Sequence, residues 1–204
     1  MIAVLDYGIG NLRSAQKALE KVGAEAELVS EPAAAEGAAG VVLPGVGAFG
    51  RCMEALRESG LDAVAVEAIE AGTPFLGICV GMQMLYGRSE EDPEVAGLGV
   101  IDGEVRALPA GVKRPQMQWN VLDPVPGRAG RSLLLDGIAP GSWAYFVHSY
   151  VPEPTADVAA TCDYGGPVVA AVERGTLWAT QFHPEKSGAV GLRLLANFAA
   201  SCAA

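Results

Sequence analysis

Residues 74–85 read PFLGICVGMQML, an apolar run that passes into glycines around one cysteine. The apolar part is typical of a buried strand, and the residues after Cys79 favour the start of a helix. Gly77 and Gly81 permit the sharp strand-to-helix turn of a nucleophile elbow, the thiol counterpart of G-x-S-x-G, which exposes the middle side chain. The turn predicts that Cys79 is a nucleophile, whereas a lone cysteine elsewhere is most often a small buried hydrophobe.

Strand-like and helix-like segments alternate through the first half of the chain. Apolar runs that end in turns lie at 2–8, 24–30, 38–45 and 73–79, and helical spacing of apolar residues marks 11–23 and 51–72, with a break expected near Gly60. This alternation predicts a parallel sheet wrapped by helices. The second half contains mainly strand-like runs, at 98–108, 142–151, 167–173 and 176–182, before a closing amphipathic helix at 189–200.

These segments together predict an α/β fold with a central mixed, mostly parallel sheet flanked by helices. No linker, repeat or low-complexity tract divides the sequence, so residues 1–204 are expected to form a single domain. Residues 108–140 contain several prolines and are expected to be the least regular part.

Composition and charge exclude several classes of function. Half of the residues are hydrophobic and 19% are charged, which is ordinary for a globular protein. The net charge of −10 and the lack of a basic stripe argue against nucleic-acid binding. No apolar stretch is long enough to span a membrane and the start lacks a secretory signal, so a cytoplasmic location is expected. The four cysteines are scattered without a CxxC pair, so neither a metal site nor a disulfide framework is expected.

Two further glycine turns are candidates for anion or cofactor binding. Residues 7–13 read YGIGNLR and lack the third glycine of a dinucleotide loop, whereas GVGAFG at 45–50 matches G-x-G-x-x-G. Glu67 and Glu70 lie about twenty residues further on, where a ribose-binding residue would stand, so an NAD-binding enzyme is one alternative. The turn follows the wrong strand for that fold, and Pro44 precedes it. We favour a turn whose backbone N–H groups hold an anion over a dinucleotide site or a purely structural turn.

A thiolate that attacks a carbonyl carbon needs a base, and the chain has only two histidines. His183 follows an apolar strand in the run QFHPEKSG, and Glu185 lies two residues further on. A carboxylate there can orient the imidazole and favour its protonated form, so contact between the His183 ring and Glu185 is predicted. His148 lies within the alternating run YFVHSYV and is interpreted as a structural or pocket-lining residue.

With Cys79 in GICVGMQ and with His183 and Glu185 in HPEKSG, the chain resembles the class I (triad) glutamine amidotransferases. More narrowly, it is similar over residues 2–198 to the glutaminase subunits of imidazole glycerol phosphate synthases, in the order and spacing of DYGIGNLRS, LPGVGAFG, GICVGMQML, YFVHSY and FHPEKSG. One departure is that the H-M-G-W-N segment usual in those subunits is QMQWN at 116–120. The resemblance implies their flavodoxin-like α/β fold and no metal or organic cofactor.

The resemblance also implies a mechanism. Cys79 would attack the side-chain amide of glutamine, His183 would act as general base and acid, and Glu185 would orient the ring. Water would then hydrolyse the thioester to glutamate. In relatives the glycine turn can stay misaligned until the partner's substrate binds. The other implied site residues are Val80 with Val46 or Gly47 for the oxyanion hole, and Gln83, Ser149 and Tyr150 for binding glutamine.

Ammonia made by this chain is expected to be used by a second protein. In the synthases that it resembles, the partner is a (β/α)8-barrel cyclase that makes imidazole glycerol phosphate and an aminoimidazole carboxamide ribonucleotide in histidine biosynthesis. The alternatives are the glutaminase of another synthase, such as the one that makes pyridoxal phosphate, and an inactive amidotransferase-like binding module. The residues expected at the partner interface or the ammonia gate are Asn11, Trp119, Tyr145 and Lys186.

Overall fold

Strands and helices alternate in the first half of the chain, and strands dominate the second. The structure, a computed structural model, describes residues 1–125 and 132–203. The first half contains β1 (Ile2–Leu5), α1 (Leu12–Lys21), β2 (Ala26–Val29), β3 (Gly40–Gly45), α2 (Phe49–Glu58), α3 (Leu61–Glu70), β4 (Phe75–Cys79) and α4 (Val80–Gln83). The rest contains β5 (Tyr86–Ser89), β6 (Ile101–Ala107), β7 (Gln116–Val121), β8 (Asp123–Pro124), β9 (Trp143–His148), β10 (Tyr150–Pro152), β11 (Val158–Asp163), β12 (Pro167–Arg174), β13 (Leu177–Thr180) and α5 (Gly188–Cys202).

An eight-stranded mixed sheet organises these elements. Its strand order is β2-β1-β3-β4-β13-β12-β11-β8. The strands from β2 to β13 run parallel, and β12, β11 and β8 continue the sheet in antiparallel pairs. Helix α1 packs against α5 and helix α2 against α3. This architecture confirms the predicted α/β fold with a central, mostly parallel mixed sheet flanked by helices.

The middle of this sheet forms the core of the molecule. Every residue of β1, β3, β4 and β13 is buried, as expected for parallel strands that are covered on both faces. The helices add large apolar side chains to the same core, including Leu19, Met53, Leu56 and Phe198. Within the described part of the chain, no helix combines the length and the apolar character that crossing a bilayer requires.

The position of β13 brings distant parts of the sequence together. It lies beside β4 as a parallel strand, with Leu177 opposite Phe75. The strand-rich second half of the sequence indicated an antiparallel or mixed portion of the sheet, and β13 is its parallel member. Strand β3 lies on the other side of β4, with Gly45 opposite Cys79. Because parallel neighbours end at the same edge of a sheet, the residues that follow β3, β4 and β13 meet there, where ligands commonly bind in α/β folds.

Three segments differ from the sequence-based expectation. The helix expected after Cys79 is a single turn, because the carbonyls of Met84 and Leu85 accept hydrogen bonds from Leu98 and Val100 instead of from a further helical turn. Strand β7 lies inside the region predicted to be irregular and pairs with β9 in a separate two-stranded sheet. Residues 126–131 of that region lie outside the described residues. Strand β11 was not predicted, and it pairs with β12.

Candidate active site

Cys79 occupies the corner between β4 and α4 in a strained backbone conformation. Its φ is 56° and its ψ is −111°, a region that costs a residue other than glycine about 1–3 kcal/mol. A Cβ atom on Gly81 would lie 1.8 Å from the carbonyl oxygen of Leu43, and one on Gly45 would lie 2.7 Å from the backbone nitrogen of Gly81. These glycines are needed because β3 approaches the corner so closely, and that packing holds Cys79 in its conformation.

His183 and Glu185 meet Cys79 at the ends of the two neighbouring strands. His183 and Cys79 line one cavity of about 260 Å³. His183 Nδ1 lies 2.8 Å from Glu185 Oε1, and both side chains are only 2% exposed, which confirms the predicted contact between ring and carboxylate. Because an ionised carboxylate only accepts, the proton of this hydrogen bond belongs to Nδ1. His183 Nε2 is buried and makes no hydrogen bond of normal distance and angle to any described residue.

The charges of this group favour an imidazolium next to the sulfur. Burial opposes a charge on His183, but hydrogen bonding and charge interactions with Cys79 and with Glu185 raise the pKa of His183 to about 9. His183 is therefore protonated near neutral pH, and a protonated histidine stabilises an adjacent thiolate. Helix α4 is only four residues long, so the positive charge at Cys79 comes mainly from His183 rather than from a helix dipole.

Asn11 and Ser187 hold the His183–Glu185 pair in place. The side-chain amide of Asn11 donates to Glu185 Oε1 at 3.3 Å. Ser187 Oγ donates to the carbonyl of His183 at 2.6 Å and accepts from the N–H of Tyr145 at 3.0 Å. The N–H of His183 donates to the carbonyl of Tyr145 at 3.0 Å. The resemblance implied Asn11 and Tyr145 for the partner interface. In the structure, Asn11 contacts Glu185, and the Tyr145 backbone contacts the loop that carries His183 and Ser187.

The glycine turn after β3 faces the nucleophile. Val46 and Gly47 line the same cavity as Cys79 and Val80. Gly47 has a φ of 90°, and no atom lies within 4 Å of the position that its Cβ would take. The structure thus brings all three residues expected to form the oxyanion hole to the mouth of one site.

Two buried side chains anchor the carbonyls of this turn. Tyr7 Oη donates to the Pro44 carbonyl at 2.6 Å, and the Cys52 thiol donates to the Val46 carbonyl at 3.2 Å. Burial raises the pKa of Tyr7 and raises that of Cys52 to about 11, so both groups stay protonated and remain donors near neutral pH. Cys52 therefore has a structural role, as expected for a cysteine outside the elbow.

The residues implied for binding glutamine also lie together. Gln83, Ser149 and Tyr150 line the cavity, and Gln83 is only 3% exposed rather than on a helix surface. Gln83 Nε2 donates to the Tyr150 carbonyl at 3.0 Å, and His148 Nδ1 lies 2.8 Å from the same oxygen. Burial is the main cause that lowers the pKa of His148 to about 4, so this ring is neutral near pH 7. His148 is thus a structural and pocket-lining residue, as the sequence indicated.

A carboxylate that the sequence did not single out completes the cavity. Glu91 lines it and accepts from the N–H of Phe49 at 2.8 Å, while Asp92 accepts from the N–H of Gly50 at 2.8 Å. The first amides of α2 are therefore already bonded to carboxylates, which leaves no place for the pyrophosphate of a dinucleotide. This arrangement argues against the NAD-binding alternative, which was based on GVGAFG. Among the described residues, no group of three or more His, Cys, Asp or Glu side chains is arranged to hold a metal ion.

The β7–β9 strand pair exposes an apolar face. Trp119 is 47% exposed, and its ring meets that of its cross-strand neighbour Tyr145 edge-on, with 6.1 Å between the centroids. Met117 and Trp143 lie on the same side of this strand pair by the alternation of the strands and are also exposed. Lys186, which follows Glu185, is exposed as well. We call the surface formed by Met117, Trp119, Trp143 and Tyr145 the β7–β9 face.

The two glutamines that depart from the usual H-M-G-W-N segment have different environments. Gln116 is fully buried opposite His148, and its Nε2 lies 3.8 Å from the Cys162 sulfur. Gln118 is exposed opposite Phe146, so its bulk lies at the surface rather than in the core.

Sequence reasoning missed one buried residue that contacts the nucleophile. Gln181 is 0% exposed, and its Nε2 lies 3.7 Å from Cys79 Sγ. A local signal was present, because Gln181 lies two residues before His183 in the segment that directly follows β13. Glu91 had no comparable local signal, since it lies in an acidic run that is typical of a solvated loop.

Comparison with known proteins assigns the chain to a family. The family model "Glutamine amidotransferase class-I" matches residues 3–202, so the chain belongs to that family. Within it, imidazole glycerol phosphate synthase subunit HisH of Moorella thermoacetica is 48% identical over 97% of this chain and 93% of that protein, and the HisH subunit of Deinococcus radiodurans is 50% identical over 97% and 92%. A crystal structure of a glutamine amidotransferase has the same fold, with a TM-score of 0.77 at 23% identity over 100% of this chain and 99% of that one. The chain is therefore of the HisH type, which confirms both levels of the resemblance.

Proposed function

We propose that this protein hydrolyses L-glutamine to glutamate and ammonia at Cys79, as the glutaminase subunit of an imidazole glycerol phosphate synthase. The observation that carries the proposal is the arrangement of three side chains. A cysteine held at a strained corner shares a cavity with an imidazole that is hydrogen-bonded to a buried carboxylate. Relatives that are 48% and 50% identical and are named as HisH subunits support the choice of synthase.

The reaction follows from the shared cavity of Cys79 and His183 and from the raised pKa of His183. The Cys79 thiolate attacks the side-chain amide carbon of glutamine, and backbone N–H groups of the corner and the glycine turn stabilise the oxyanion. The imidazolium of His183 gives its proton to the leaving nitrogen, which departs as ammonia when the C–N bond breaks. The neutral imidazole then removes a proton from a water that attacks the thioester. Glutamate leaves, and the thiolate–imidazolium pair is restored.

The polar groups of the cavity define how glutamine binds. The Glu91 carboxylate is the charged acceptor for the α-ammonium group of glutamine. The side-chain oxygen of Gln83 is a second, neutral acceptor for the same group. The Gln83 NH₂ group cannot take this place, because it already donates both hydrogens, to Tyr150 and Gln181. Ser149 and Tyr150 line the cavity, and we assign the α-carboxylate to their backbone. The side-chain amide then points towards Cys79.

The β7–β9 face and Lys186 are the surface that we assign to the (β/α)8-barrel cyclase. Exposed tryptophan and methionine side chains grouped on one strand pair are typical of a protein interface. Strand β9 also carries the backbone of Tyr145, which is hydrogen-bonded to His183 and Ser187. A partner that binds the β7–β9 face therefore contacts the structure that holds the catalytic histidine.

A glutaminase assay with the purified cyclase subunit tests this proposal. Glutamate production should rise when the cyclase and its nucleotide substrate are added, and Cys79→Ala should abolish it while leaving partner binding intact. Trp119→Ala should weaken the stimulation, whereas Leu133→Ala, which removes a similarly exposed apolar side chain that is not part of the β7–β9 face, should not. Absence of any stimulation, or stimulation by the pyridoxal phosphate synthase subunit instead, would contradict the assignment.

We also propose that residues 1–204 form one domain and act in the cytoplasm. Side chains from β1, at the start of the chain, and from α5, at its end, belong to one hydrophobic cluster, which supports the first statement. Limited proteolysis tests it, since a stable fragment of half the size would contradict a single domain.

A further inference from the structure

The sulfur of Cys79 has two polar neighbours besides His183. The Val147 carbonyl oxygen lies 3.9 Å from Cys79 Sγ and can only accept a hydrogen bond from the thiol. Gln181 Nε2 lies 3.7 Å from Cys79 Sγ and is the donor of the two, and the Gln181 side chain is fully buried. Gln181 Oε1 lies 3.0 Å from Gln83 Nε2, which in turn lies 3.0 Å from the Tyr150 carbonyl oxygen. The three residues therefore form a continuous hydrogen-bonded series that ends at the reacting atom.

A backbone carbonyl fixes the direction of this series. The Tyr150 carbonyl can only accept, so the Gln83 atom that contacts it must be the NH₂ group. The same NH₂ group faces Gln181, which must therefore present its oxygen to Gln83. The NH₂ group of Gln181 then has to point at Cys79. If Gln181 were turned over, two donors would face each other and the buried sulfur would meet an oxygen.

We propose that Gln181 donates a hydrogen bond to the Cys79 sulfur and stabilises its thiolate, with Gln83 as the positioning residue that keeps the amide in this orientation. The proposal rests on the proposed function and deepens it, because it adds a second stabilising group to the nucleophile. A donor aimed at a buried anion is effective because the site is shielded from water. The Gln181 N–H group forms a stronger hydrogen bond to a charged thiolate than to a neutral thiol. The donor therefore favours the thiolate, which is the reactive form.

The series also connects the nucleophile to the substrate. Glutamine that binds to the Gln83 oxygen polarises the Gln83 amide, which strengthens the hydrogen bond that Gln83 gives to Gln181. The Gln181 N–H group then becomes a better donor to the sulfur. A bound substrate therefore stabilises the thiolate that is about to attack it.

The test measures the reactivity of Cys79 directly, without glutamine turnover. Gln181→Met keeps the length of the side chain and removes the donor, and iodoacetamide labelling of the Cys79 peptide is followed by mass spectrometry across a range of pH. When a thiolate loses stabilisation, its fraction falls but its intrinsic nucleophilicity rises, so we expect labelling about threefold slower below the midpoint of the pH profile. The midpoint should move to higher pH, and the plateau at high pH should be at least as high as in the wild type.

Thr180→Val is the matched control. Thr180 is the last residue of β13, directly precedes Gln181 and is equally buried. The variant removes the hydrogen bond that the Thr180 hydroxyl donates to the Phe182 carbonyl. Its labelling profile should match the wild type. A loss of labelling by the same factor at every pH in Gln181→Met would show that Gln181 only supports the fold, and an unchanged profile would also overturn the proposal.

A second variant keeps the proposal testable if Gln181→Met is unstable. Gln181→Glu can still accept from Gln83, but an ionised carboxylate beside the sulfur opposes the thiolate, so labelling near neutral pH should be slower than in the wild type. Labelling as fast as wild type would contradict the donor role. Because iodoacetamide labelling needs no glutamine, these outcomes are distinguishable from a failure of the proposed glutaminase activity.

Discussion

Acid should destabilise this protein because the His148 side chain binds a proton more readily in the unfolded chain than in the folded protein. One substitution at His148 should remove this effect. Burial lowers the pKa of His148 from 6.5 to about 4 in the folded protein. Between these two values the unfolded chain binds the extra proton and the folded protein does not, so stability is complete above pH 6.5 and falls as the pH drops towards 4. At 1.36 kcal/mol per pH unit, the loss from this residue is about 3 kcal/mol in total and about 2 kcal/mol between pH 7 and pH 5.

His148→Asn is the variant that isolates this effect. An asparagine amide can still donate to the Tyr150 carbonyl, but it does not titrate. Urea unfolding followed by circular dichroism at pH 7 and pH 5 gives the free energy of unfolding of both proteins. The wild type should lose about 2 kcal/mol more than the variant between the two pH values, whatever the cost of the substitution at pH 7. Equal losses in the two proteins would show that His148 is not held neutral by burial.

Three further substitutions test the site. Gly81→Ala should leave no folded protein, because the new Cβ would lie 1.8 Å from a backbone oxygen; a normal circular dichroism spectrum would refute that packing. Asn11→Ala should lower kcat about three- to tenfold with little change in KM, because Glu185 loses a donor; an effect confined to cyclase binding would make Asn11 an interface residue only. Tyr7→Phe should lower kcat about tenfold at unchanged KM, because the oxyanion turn loses an anchor; unchanged kcat would show that the turn holds without it.

The parts of the fold that were predicted correctly depend on local patterns. Helix α1 follows from apolar residues at helical spacing, and the corner at Cys79 follows from an apolar run between two glycines. The break between α2 and α3 follows from Gly60, which adopts a left-handed conformation with a φ of 71°. In each case, neighbours within a few residues determine the backbone, so the sequence alone carries the information.

The parts that were missed depend on contacts between distant residues. The single-turn length of α4 is set by hydrogen bonds from Leu98 and Val100, which no local pattern indicates. Strand β7 alternates polar and apolar residues, but Pro115 and Pro124 flank it and indicated irregular structure, and the pairing with β9 that makes it a strand joins residues distant in sequence. The same contrast holds in the site. The contact between His183 and Glu185 spans two residues and was predicted, whereas Glu91 is held by the amide of Phe49, which lies 42 residues away, and was not.

The role proposed for Cys79 as the nucleophile towards glutamine can be tested by covalent labelling. The protein is treated with a diazo-ketone analogue of glutamine, in the presence of the cyclase, and the label is located by peptide mass spectrometry. We expect one label on the peptide that contains Cys79, blocked by excess glutamine. A label on Cys52, Cys162 or Cys202, or no label at all while ammonia is still produced, would contradict this role.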